Sequence, residues 1–334
     1  VRYIFLLLTL SSLLFGDKIL KIATYNVENL FDLQRSGHEY KEYKPYTQTN
    51  WNDNTYKIKL KNISHVIKDM NVDVIALQEV ESLKALKDLR YQLKRDGLYY
   101  QYYKIANLKD TTIKVAILSK IPFVYTHEIA VSSSYRYRNI LEVKFKINNE
   151  DLYVMINHWK SKAGPESRRI FSAKKLLNRV KEIGCNKNII LLGDFNSDYE
   201  EYKLFKRKRR QNDTNGITGI NNILGTIDYK KNAENTKLDK CKFYNLWYDV
   251  KNSKDRYSYI YHGKKEALDN ILVSSALLNK QGLDYNEKSM HTFSPKYLFK
   301  HKGIYRWQMS RKKPKKHLGY GYSDHLPVIA EFVY

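Results

Sequence analysis

The sequence predicts a mixed α/β protein whose central sheets are buried on both faces. Short, continuous apolar runs recur along the whole chain, and such runs are typical of buried strands. Two longer segments instead repeat apolar residues at three- and four-residue steps, which is the helical spacing. With 43% hydrophobic residues among 334, the chain can build a substantial core, so intrinsic disorder is excluded as a description of the whole.

Eight strands are predicted, and they are spread over the full length of the chain. They cover residues 19–25, 72–77, 113–118, 140–145, 152–157, 188–192, 268–273 and 328–333. One helix is predicted over 56–70, with Asp53 or Asn54 as its N-cap. A second helix is predicted over 166–183, directly after Pro165, because proline is common at helix starts.

Residues 1–16 are predicted to be a signal peptide. Arg2 supplies a positive first region, and residues 4–15 form an apolar run that is short for a membrane span. A buried first strand or an uncleaved anchor is the alternative interpretation. We expect an exported protein, periplasmic or extracellular, with no stable membrane span after signal removal, because no later apolar stretch reaches about 18 residues.

The two cysteines, Cys185 and Cys241, leave two interpretations open. In an exported protein they could form a disulfide, whereas two partly buried free thiols fit the sequence equally well. Two cysteines without histidines at zinc-ligand spacing do not make a zinc site.

Short polar motifs stand at the ends of the apolar strands, and the candidate functional residues concentrate there. The motifs are TYNVEN at 24–29, LQEVE at 77–81, NHWKS at 157–161, GDFNS at 193–197, LDN at 268–270 and SDHLP at 323–327. Active sites gather at strand ends because a rigid scaffold positions the loops there. Each motif alone is weak evidence, but six in one order, each beside an apolar strand, argue against coincidence.

The residue types in these motifs indicate metal-assisted hydrolysis of a phosphoester. Carboxylate and amide oxygens are the ligands that Mg²⁺, Mn²⁺ and Ca²⁺ prefer. His158 and His325 suit acid–base chemistry near neutral pH, and Asp269 beside His325 would fix its tautomer and raise its basicity. The oxygen ligands available are Glu79, Asp194, Asp269 and Asp324, with Asn26 and Asn196 as neutral members.

This set of motifs resembles the endonuclease/exonuclease/phosphatase superfamily, which has the DNase I-like fold. GDFNS and SDHLPV are its most specific pieces, LQEVE and TYNVENLFD support them, and NHWKSK is most similar to the branch of bacterial secreted nucleases. The resemblance covers about residues 18–334. It implies a four-layer α/β/β/α sandwich, with two facing mixed sheets flanked by helices, and a phosphodiesterase that uses Mg²⁺, with Mn²⁺ or Ca²⁺ as alternatives.

The resemblance also implies a role for each motif residue. The implied metal ligands are Glu79, Asn26, Asp324 and Asp194. His325, oriented by Asp269, is implied as the base that activates water, and Asp194 competes with it for that role. The residues implied to bind the scissile phosphate are His158, Asn196 and Arg138, with Arg136 as the competitor of Arg138.

One departure from the family pattern concerns His158. In DNase I the matching histidine has a glutamate partner on a middle strand, whereas the comparable stretch here, residues 111–114, offers no glutamate. A neutral hydrogen-bond donor is therefore the alternative to a general acid at His158.

The net charge of +24, from 59 Lys and Arg against 35 Asp and Glu, favours a polyanionic substrate. Much of it lies in two segments, near 198–265 and 291–317, which we interpret as basic insertions or loops on one catalytic domain at 17–334. Aromatic residues are interleaved with the second segment, and they are Tyr297, Phe299, Tyr305 and Trp307. The alternative is a solvated face that reflects lysine-rich composition.

These observations together predict a monomeric, secreted or periplasmic endonuclease that depends on a divalent metal. It would hydrolyse phosphodiester bonds of double-stranded DNA with little sequence specificity, because contacts to sugar and phosphate carry no sequence information. Other interpretations stay open: a sphingomyelinase-like lipid phosphodiesterase, a phosphatase of the same superfamily, or a catalytically inactive DNA-binding relative.

Overall fold

The structure, a computed structural model, describes residues 18–205, 210–226 and 241–334. The predicted signal peptide at 1–16 and the basic residues 206–209 lie outside the described residues. Among the helices of the described ranges, none combines the length and apolar character that crossing a bilayer requires.

Strands dominate the described part of the chain. They are β1 (Ile19–Leu30), β2 (Val74–Val80), β3 (Tyr102–Ile105), β4 (Lys114–Ser119), β5 (Phe123–Ile129), β6 (Ile140–Ile147), β7 (Glu150–His158), β8 (Asn188–Asp194), β9 (Phe243–Asn245), β10 (Tyr259–Tyr261), β11 (Lys264–Glu266), β12 (Asp269–Ser274), β13 (Asp284–Tyr285), β14 (His291–Thr292), β15 (Phe299–Lys300), β16 (Gly303–Ile304) and β17 (Val328–Val333). The α-helices are α1 (Asp53–Met70), α2 (Leu83–Arg95), α3 (Glu166–Ile183) and α4 (Glu201–Leu204).

The strands form two large mixed sheets. The first has the order β13-β17-β1-β2-β4-β3, with β14 also paired to β17, and the second has the order β5-β6-β7-β8-β12-β9. Each contains one parallel pair, β1 with β2 and β7 with β8, among antiparallel neighbours. The hairpins β10–β11 and β15–β16 stand outside both sheets.

Buried apolar residues divide the fold into four layers. Alternate residues of a strand point to opposite faces, so in β1 Ile22 joins the core between the two sheets while Ala23 faces the helices. Helices α1 and α2 cover the outer face of the first sheet, and α3 covers the outer face of the second. The predicted four-layer α/β/β/α sandwich is therefore confirmed.

The start of α1 corrects the predicted N-cap. Neither Asp53 nor Asn54 caps the helix, because Asn52 does: its Oδ1 accepts the backbone N–H groups of Asn54 at 3.1 Å and Thr55 at 3.2 Å. The Thr55 hydroxyl accepts the Asn52 N–H at 3.0 Å and completes a capping box. Helix α3 has the predicted bounds.

The sequence did not predict α2, α4 or nine of the strands, which are β3, β5, β9, β10, β11, β13, β14, β15 and β16. In α2 the buried residues Ala85, Leu86, Leu89 and Leu93 do follow the helical spacing. Strands β3 and β5 are exposed over much of their length, so their sequences lack the continuous apolar runs of the central strands.

Cys185 and Cys241 form a disulfide, with their Cα atoms 4.9 Å apart. The bond joins the chain just beyond α3 to the segment that leads into β9. The sequence left a disulfide and two free thiols as alternatives, and the structure contains the disulfide.

The basic segment 291–317 is only partly a surface loop. Trp307 is 2% exposed, and its indole Nε1 donates to His317 Nδ1 at 2.8 Å. The imidazole Nε2 of His317 donates in turn to the Glu42 carbonyl at 2.8 Å. The indole packs in the core against Trp51, so Trp307 is not available as an aromatic residue of a substrate-binding surface.

The segment 198–265 also contributes to the core. Phe205, Ile220 and Trp247 are fully buried, and β9 adds an edge strand to the second sheet. These residues are part of the packed sandwich and not of an appended loop.

Candidate active site

The strand pairing in the second sheet brings three of the motifs to one edge of the sandwich. In the parallel pair β7–β8, His158 stands opposite Asp194, and in the antiparallel pair β12–β8, Asp269 stands opposite the same residue. Because β12 runs against β8, its first residue meets the last residue of β8. Gly193 permits this pairing, since a Cβ there would lie 2.0 Å from the Asn157 carbonyl oxygen.

The first sheet contributes the remaining motif residues to the same edge. The Asn26 amide, at the β1–β2 ladder, donates to Asp194 Oδ2 at 3.1 Å and so bridges the two sheets. Glu79 Oε2 accepts the Asn29 N–H at 3.0 Å. Glu79 has a φ of 65°, which is rare for a residue with a side chain and is typical of strain kept at functional sites.

His325 and Asp269 form a buried acid–base pair. His325 Nδ1 donates to Asp269 Oδ2 at 2.6 Å, which leaves Nε2 as the free ring nitrogen. Burial alone would lower the pKa of His325, but the carboxylates of Asp269, Asp194 and Asp324 outweigh it and hold that pKa well above the usual value. Asp269 therefore fixes the tautomer of the ring and raises the basicity of Nε2.

Burial raises the pKa of the carboxyl groups around this pair. It raises the pKa of Asp194 to about 7, because His325 offsets only part of the effect and Asp269 adds to it. Burial and the neighbouring Asp324 likewise raise the pKa of Glu79. Carboxyl groups held together in this way favour a bound cation.

The donor set fits a hard divalent cation. The oxygen donors that could hold it are Glu79, Asp324, Asp194 and Asn26, because carboxylate and amide oxygens are what Mg²⁺ or Mn²⁺ prefers. The side-chain Oδ1 of Asn26 already accepts the Glu28 N–H at 3.0 Å, and its second lone pair stays available. One ligand atom each of Asp194, Asp269 and His325 also lie within 4.8 Å of one another. Since Asp269 and His325 bond directly to each other, we assign them to proton transfer.

His158 is a neutral imidazole in this environment. Burial lowers its pKa well below the usual value, and the cations of Arg138, His325 and Lys160 lower it further. Its Nε2 lies 3.5 Å from Asp194 Oδ2, while the buried Nδ1 has no hydrogen-bond partner among the described residues. A neutral ring suits hydrogen bonding to a phosphoryl oxygen better than general-acid catalysis.

Two predicted phosphate ligands share one anchor. Arg138 Nη1 donates to the Trp159 carbonyl at 3.0 Å, and Asn196 Nδ2 donates to the same carbonyl at 3.2 Å. Trp159 is fixed in turn by packing against Phe195, with ring centroids 4.7 Å apart. The motifs at 157–161 and 193–197 therefore position each other.

An open cleft of about 690 Å³ lies over these residues. The predicted site residues that line it are Glu79, Arg138, His158, Asp194, Asn196, Asp324 and His325. Asn26 and Asp269 support that lining from behind through their bonds to Asp194 and His325. Arg136 is exposed and does not line the cleft, so Arg138 is the better placed of the two competing arginines.

One wall of the cleft is aromatic, and it was not predicted from the sequence. Tyr259 and Tyr261 both line it, their rings nearly parallel at 10° with centroids 6.4 Å apart. The Tyr259 ring lies 4.8 Å from the His325 ring. The sequence does contain a signal for this wall, because Tyr259 and Tyr261 are two residues apart and so point to the same side of a strand. His262 and Gly263 follow them, and their φ angles of 47° and 76° make the tight turn between β10 and β11.

A further pair links the basic segment to the site. Glu28, buried next to the cleft, accepts the Trp307 N–H at 2.9 Å and hydrogen bonds from the Arg306 guanidinium. Arg306 Nη2 also lies 3.3 Å from Asp324 Oδ2. Arg306, which brings segment 291–317 to the predicted metal ligand Asp324, is thus neutralised by Glu28 and Asp324.

Similarity to known proteins agrees with this geometry. The model of the endonuclease/exonuclease/phosphatase family matches residues 21–333. No curated protein sequence matches the chain significantly. D. rerio TDP2 complexed with single strand DNA product has a TM-score of 0.58 and 16% identity, over 95% of this chain and 99% of that one.

Two bacterial structures are similar to a comparable degree. An endonuclease/exonuclease/phosphatase family protein from Bacteroides thetaiotaomicron has a TM-score of 0.55 and 15% identity, over 96% of this chain and 99% of that one. The mannosyl-6-phosphatase of Bacteroides thetaiotaomicron VPI-5482 has a TM-score of 0.54 and 16% identity, over 94% and 100%. At these identities the likeness shows the fold alone, whereas the family model spans nearly the whole chain. The chain therefore belongs to the endonuclease/exonuclease/phosphatase family of phosphoester hydrolases, which typically depend on divalent metals.

Proposed function

We propose that this protein is an exported, divalent-metal-dependent endonuclease that hydrolyses phosphodiester bonds of DNA with little sequence specificity. The observation that supports the hydrolytic part is the 2.6 Å pair of His325 and Asp269 beside the buried Asp194, in a cleft that Arg138 and Asn196 also line. A base, a cation site and phosphate donors around one cleft are the groups that metal-assisted hydrolysis of a phosphoester requires.

The residues of the chain divide the chemistry among them. His325 Nε2 takes a proton from the attacking water, and Asp269 holds the ring in the required tautomer. His158, Asn196 and Arg138 bind the non-bridging oxygens of the scissile phosphate. A divalent cation, held by Glu79, Asp324, Asp194 and Asn26, would neutralise negative charge on those oxygens.

Nucleic acid is favoured as the substrate by the walls of the cleft. Tyr259 and Tyr261 present an aromatic surface, and Tyr261 is 58% exposed. Aromatic rings stack on any base, so they add affinity without sequence preference. Arg138 and Lys160 line the same cleft and supply positive charge for a polyanion.

Export is supported by two features of the chain. Residues 4–15 fit the apolar region of a signal peptide. The disulfide between Cys185 and Cys241 suits an oxidising compartment such as the periplasm or the extracellular space. Fractionation of cells that produce the full chain tests this proposal, because protein confined to the cytosol would contradict it.

A substrate panel tests the proposed activity. Purified protein is incubated with double-stranded DNA, single-stranded DNA, RNA, sphingomyelin and mannose 6-phosphate, each with Mg²⁺, Mn²⁺, Ca²⁺ or EDTA. We expect internal cleavage of DNA with Mg²⁺ or Mn²⁺ and none with EDTA. Release of phosphocholine or of inorganic phosphate without DNA cleavage would assign the chain to a lipid phosphodiesterase or a phosphatase instead.

A further inference from the structure

Four cations stand together at one side of the cleft without acidic partners. Arg138 and Lys160 line the cleft, and Arg136 and Arg168 lie beside them. Among the described residues, none of the four has a carboxylate within ion-pair distance. We call this group, Arg136, Arg138, Lys160 and Arg168, the cationic rim.

Several contacts show that the rim is one group. A Cβ placed on Gly164 would lie 3.3 Å from Lys160 Cε and 3.6 Å from Arg168 Nη1, so both side chains approach the same point. A hydrogen bond from Arg136 lowers the pKa of Tyr135, and the charges of Arg136, Arg168 and Lys160 add to this effect. The four side chains therefore converge although they come from two separate loops and the first turn of α3.

The rim is held in place by a buried scaffold. Arg169, fully buried in α3, donates from Nη1 to the carbonyls of Lys160 at 3.2 Å, Ser161 at 3.1 Å and Gly164 at 3.3 Å. Its Nε donates to Glu166 at 2.7 Å. The loop that carries Lys160 is thus fixed, and the rim is preorganised in the absence of a ligand.

A neighbouring lysine differs from the rim residues in having acidic partners within ion-pair distance. Lys162, two residues beyond Lys160, is neutralised by Glu201 at 2.6 Å and Glu266 at 3.1 Å. Lys160 has no such partner, and burial together with Arg138, Arg168 and Arg136 lowers its pKa. Like charges that cluster at a cleft repel one another, and a bound anion offsets this repulsion.

We propose that Lys160, Arg168 and Arg136, the members of the cationic rim beyond Arg138, form a second phosphate subsite, which binds the phosphate next to the scissile one in a polynucleotide strand. The inference rests on the proposed function and specifies its substrate. Arg138 connects the two positions, because it shares the Trp159 carbonyl with Asn196 and Lys160 follows Trp159 directly. A substrate with one phosphate leaves these three side chains without an anion, whereas a DNA strand fills both positions.

Three thymidine dinucleotides test the subsite. They are d(TpT), which has only the scissile phosphate, d(pTpT), with an added 5′ phosphate, and d(TpTp), with an added 3′ phosphate. We expect the wild-type kcat/KM to be at least about tenfold higher for one of the two phosphorylated forms than for d(TpT), because charge-assisted hydrogen bonds from the rim would hold the added phosphate. The increase in kcat/KM should be confined to one of the two phosphorylated forms, because the rim lies on one side of the scissile phosphate.

Variants identify the rim as the cause of this preference. In the double variant Lys160→Gln, Arg168→Gln, the ratio of kcat/KM values should fall close to one, and Lys160→Arg with Arg168→Lys should restore most of it. Lys174→Gln removes an exposed charge of the same helix and should keep the wild-type ratio. Thermal unfolding of each variant verifies that it is folded.

The outcomes separate this inference from the proposed function. If wild-type protein nicks plasmid DNA but treats the three dinucleotides alike, or if the double variant keeps the preference, the subsite is overturned while the endonuclease proposal stands. If wild-type protein cleaves no DNA under any metal condition, the proposed function is overturned and the subsite with it.

Discussion

His325 Nδ1 and Asp269 Oδ2 lie 2.6 Å apart although the two residues are 56 positions apart in the chain. Asp269 opens β12 and His325 precedes β17, so each sheet of the sandwich supplies one member of the pair. The contact depends on how the two sheets face each other, and it connects the fold directly to the proposed chemistry.

The pair should behave as one catalytic unit. His325→Ala and Asp269→Asn should each lower kcat by at least about 10²-fold, because the base or its orientation is lost in the transition state. The double variant should be about as slow as the slower single variant, since the effects of substitutions at two coupled residues do not add. Steady-state kinetics on a DNA oligonucleotide measures these rates. His127→Ala, which changes an exposed histidine, is the control and should keep the wild-type kcat. Fully additive losses would contradict a coupled pair.

The carboxylate cluster should bind a divalent cation in the absence of substrate. Mg²⁺ or Mn²⁺ should raise the thermal unfolding midpoint by a few degrees, because ligand binding to the folded state alone adds stability. Glu79→Gln and Asp324→Asn should weaken this rise. Differential scanning calorimetry with and without EDTA measures it. An equal rise in the wild type and both variants would place the cation elsewhere.

His317 should make stability depend on pH. Burial lowers its pKa to about 4, while an unfolded histidine has a pKa of about 6.5. Between these values the unfolded chain binds a proton that the folded protein excludes, so this contribution is complete above pH 6.5 and is lost as pH falls toward 4. The loss is about 1.4 kcal/mol per pH unit within that window.

Denaturant unfolding at several pH values measures the effect. His317→Gln should be less stable at pH 7 but should lose less stability between pH 6.5 and 4 than the wild type does. His127→Gln changes an exposed histidine and should keep the wild-type slope. Identical slopes for His317→Gln and the wild type would contradict the assignment.

The disulfide should stabilise the folded protein. Cys185 and Cys241 are separated by 56 residues, so removing the bond frees a long loop in the unfolded chain. Replacing both with Ser should lower the free energy of unfolding by about 2–4 kcal/mol. Urea denaturation measures this, and a reducing agent should destabilise the wild type by a similar amount while leaving the double variant unchanged. An unchanged wild-type midpoint under reduction would contradict the pairing.

The sequence predicted the central strands and the positions of the motifs well, because both depend on local pattern. β17 and α3 have the predicted bounds, and the polar residues at the ends of β2, β7 and β8 do meet at one edge. Buried strands show continuous apolar runs, and strand ends follow from where these runs stop. The edge strands β3 and β5 lack this signal.

Tertiary packing decided what the sequence pattern could not. Trp307 lies among basic residues and suggested a surface role, yet a hydrogen bond to His317 holds it in the core. Arg306, from the same run, is neutralised by Glu28 from a distant strand. The cationic rim was missed for the opposite reason, because its members are scattered in the chain and only the fold brings Lys160 and Arg168 together.

The central claim is that the His325–Asp269 pair and the carboxylate cluster beside it form a metal-dependent centre that cleaves DNA. Nicking of supercoiled plasmid by purified wild-type protein, His325→Ala and His127→Ala, each with Mg²⁺ or EDTA, tests it most directly. We expect wild type and His127→Ala to convert the plasmid to the open circular form only with Mg²⁺, and His325→Ala to do so at least about 10²-fold more slowly. Nicking by His325→Ala at the wild-type rate, or nicking by the wild type in EDTA, would contradict this account.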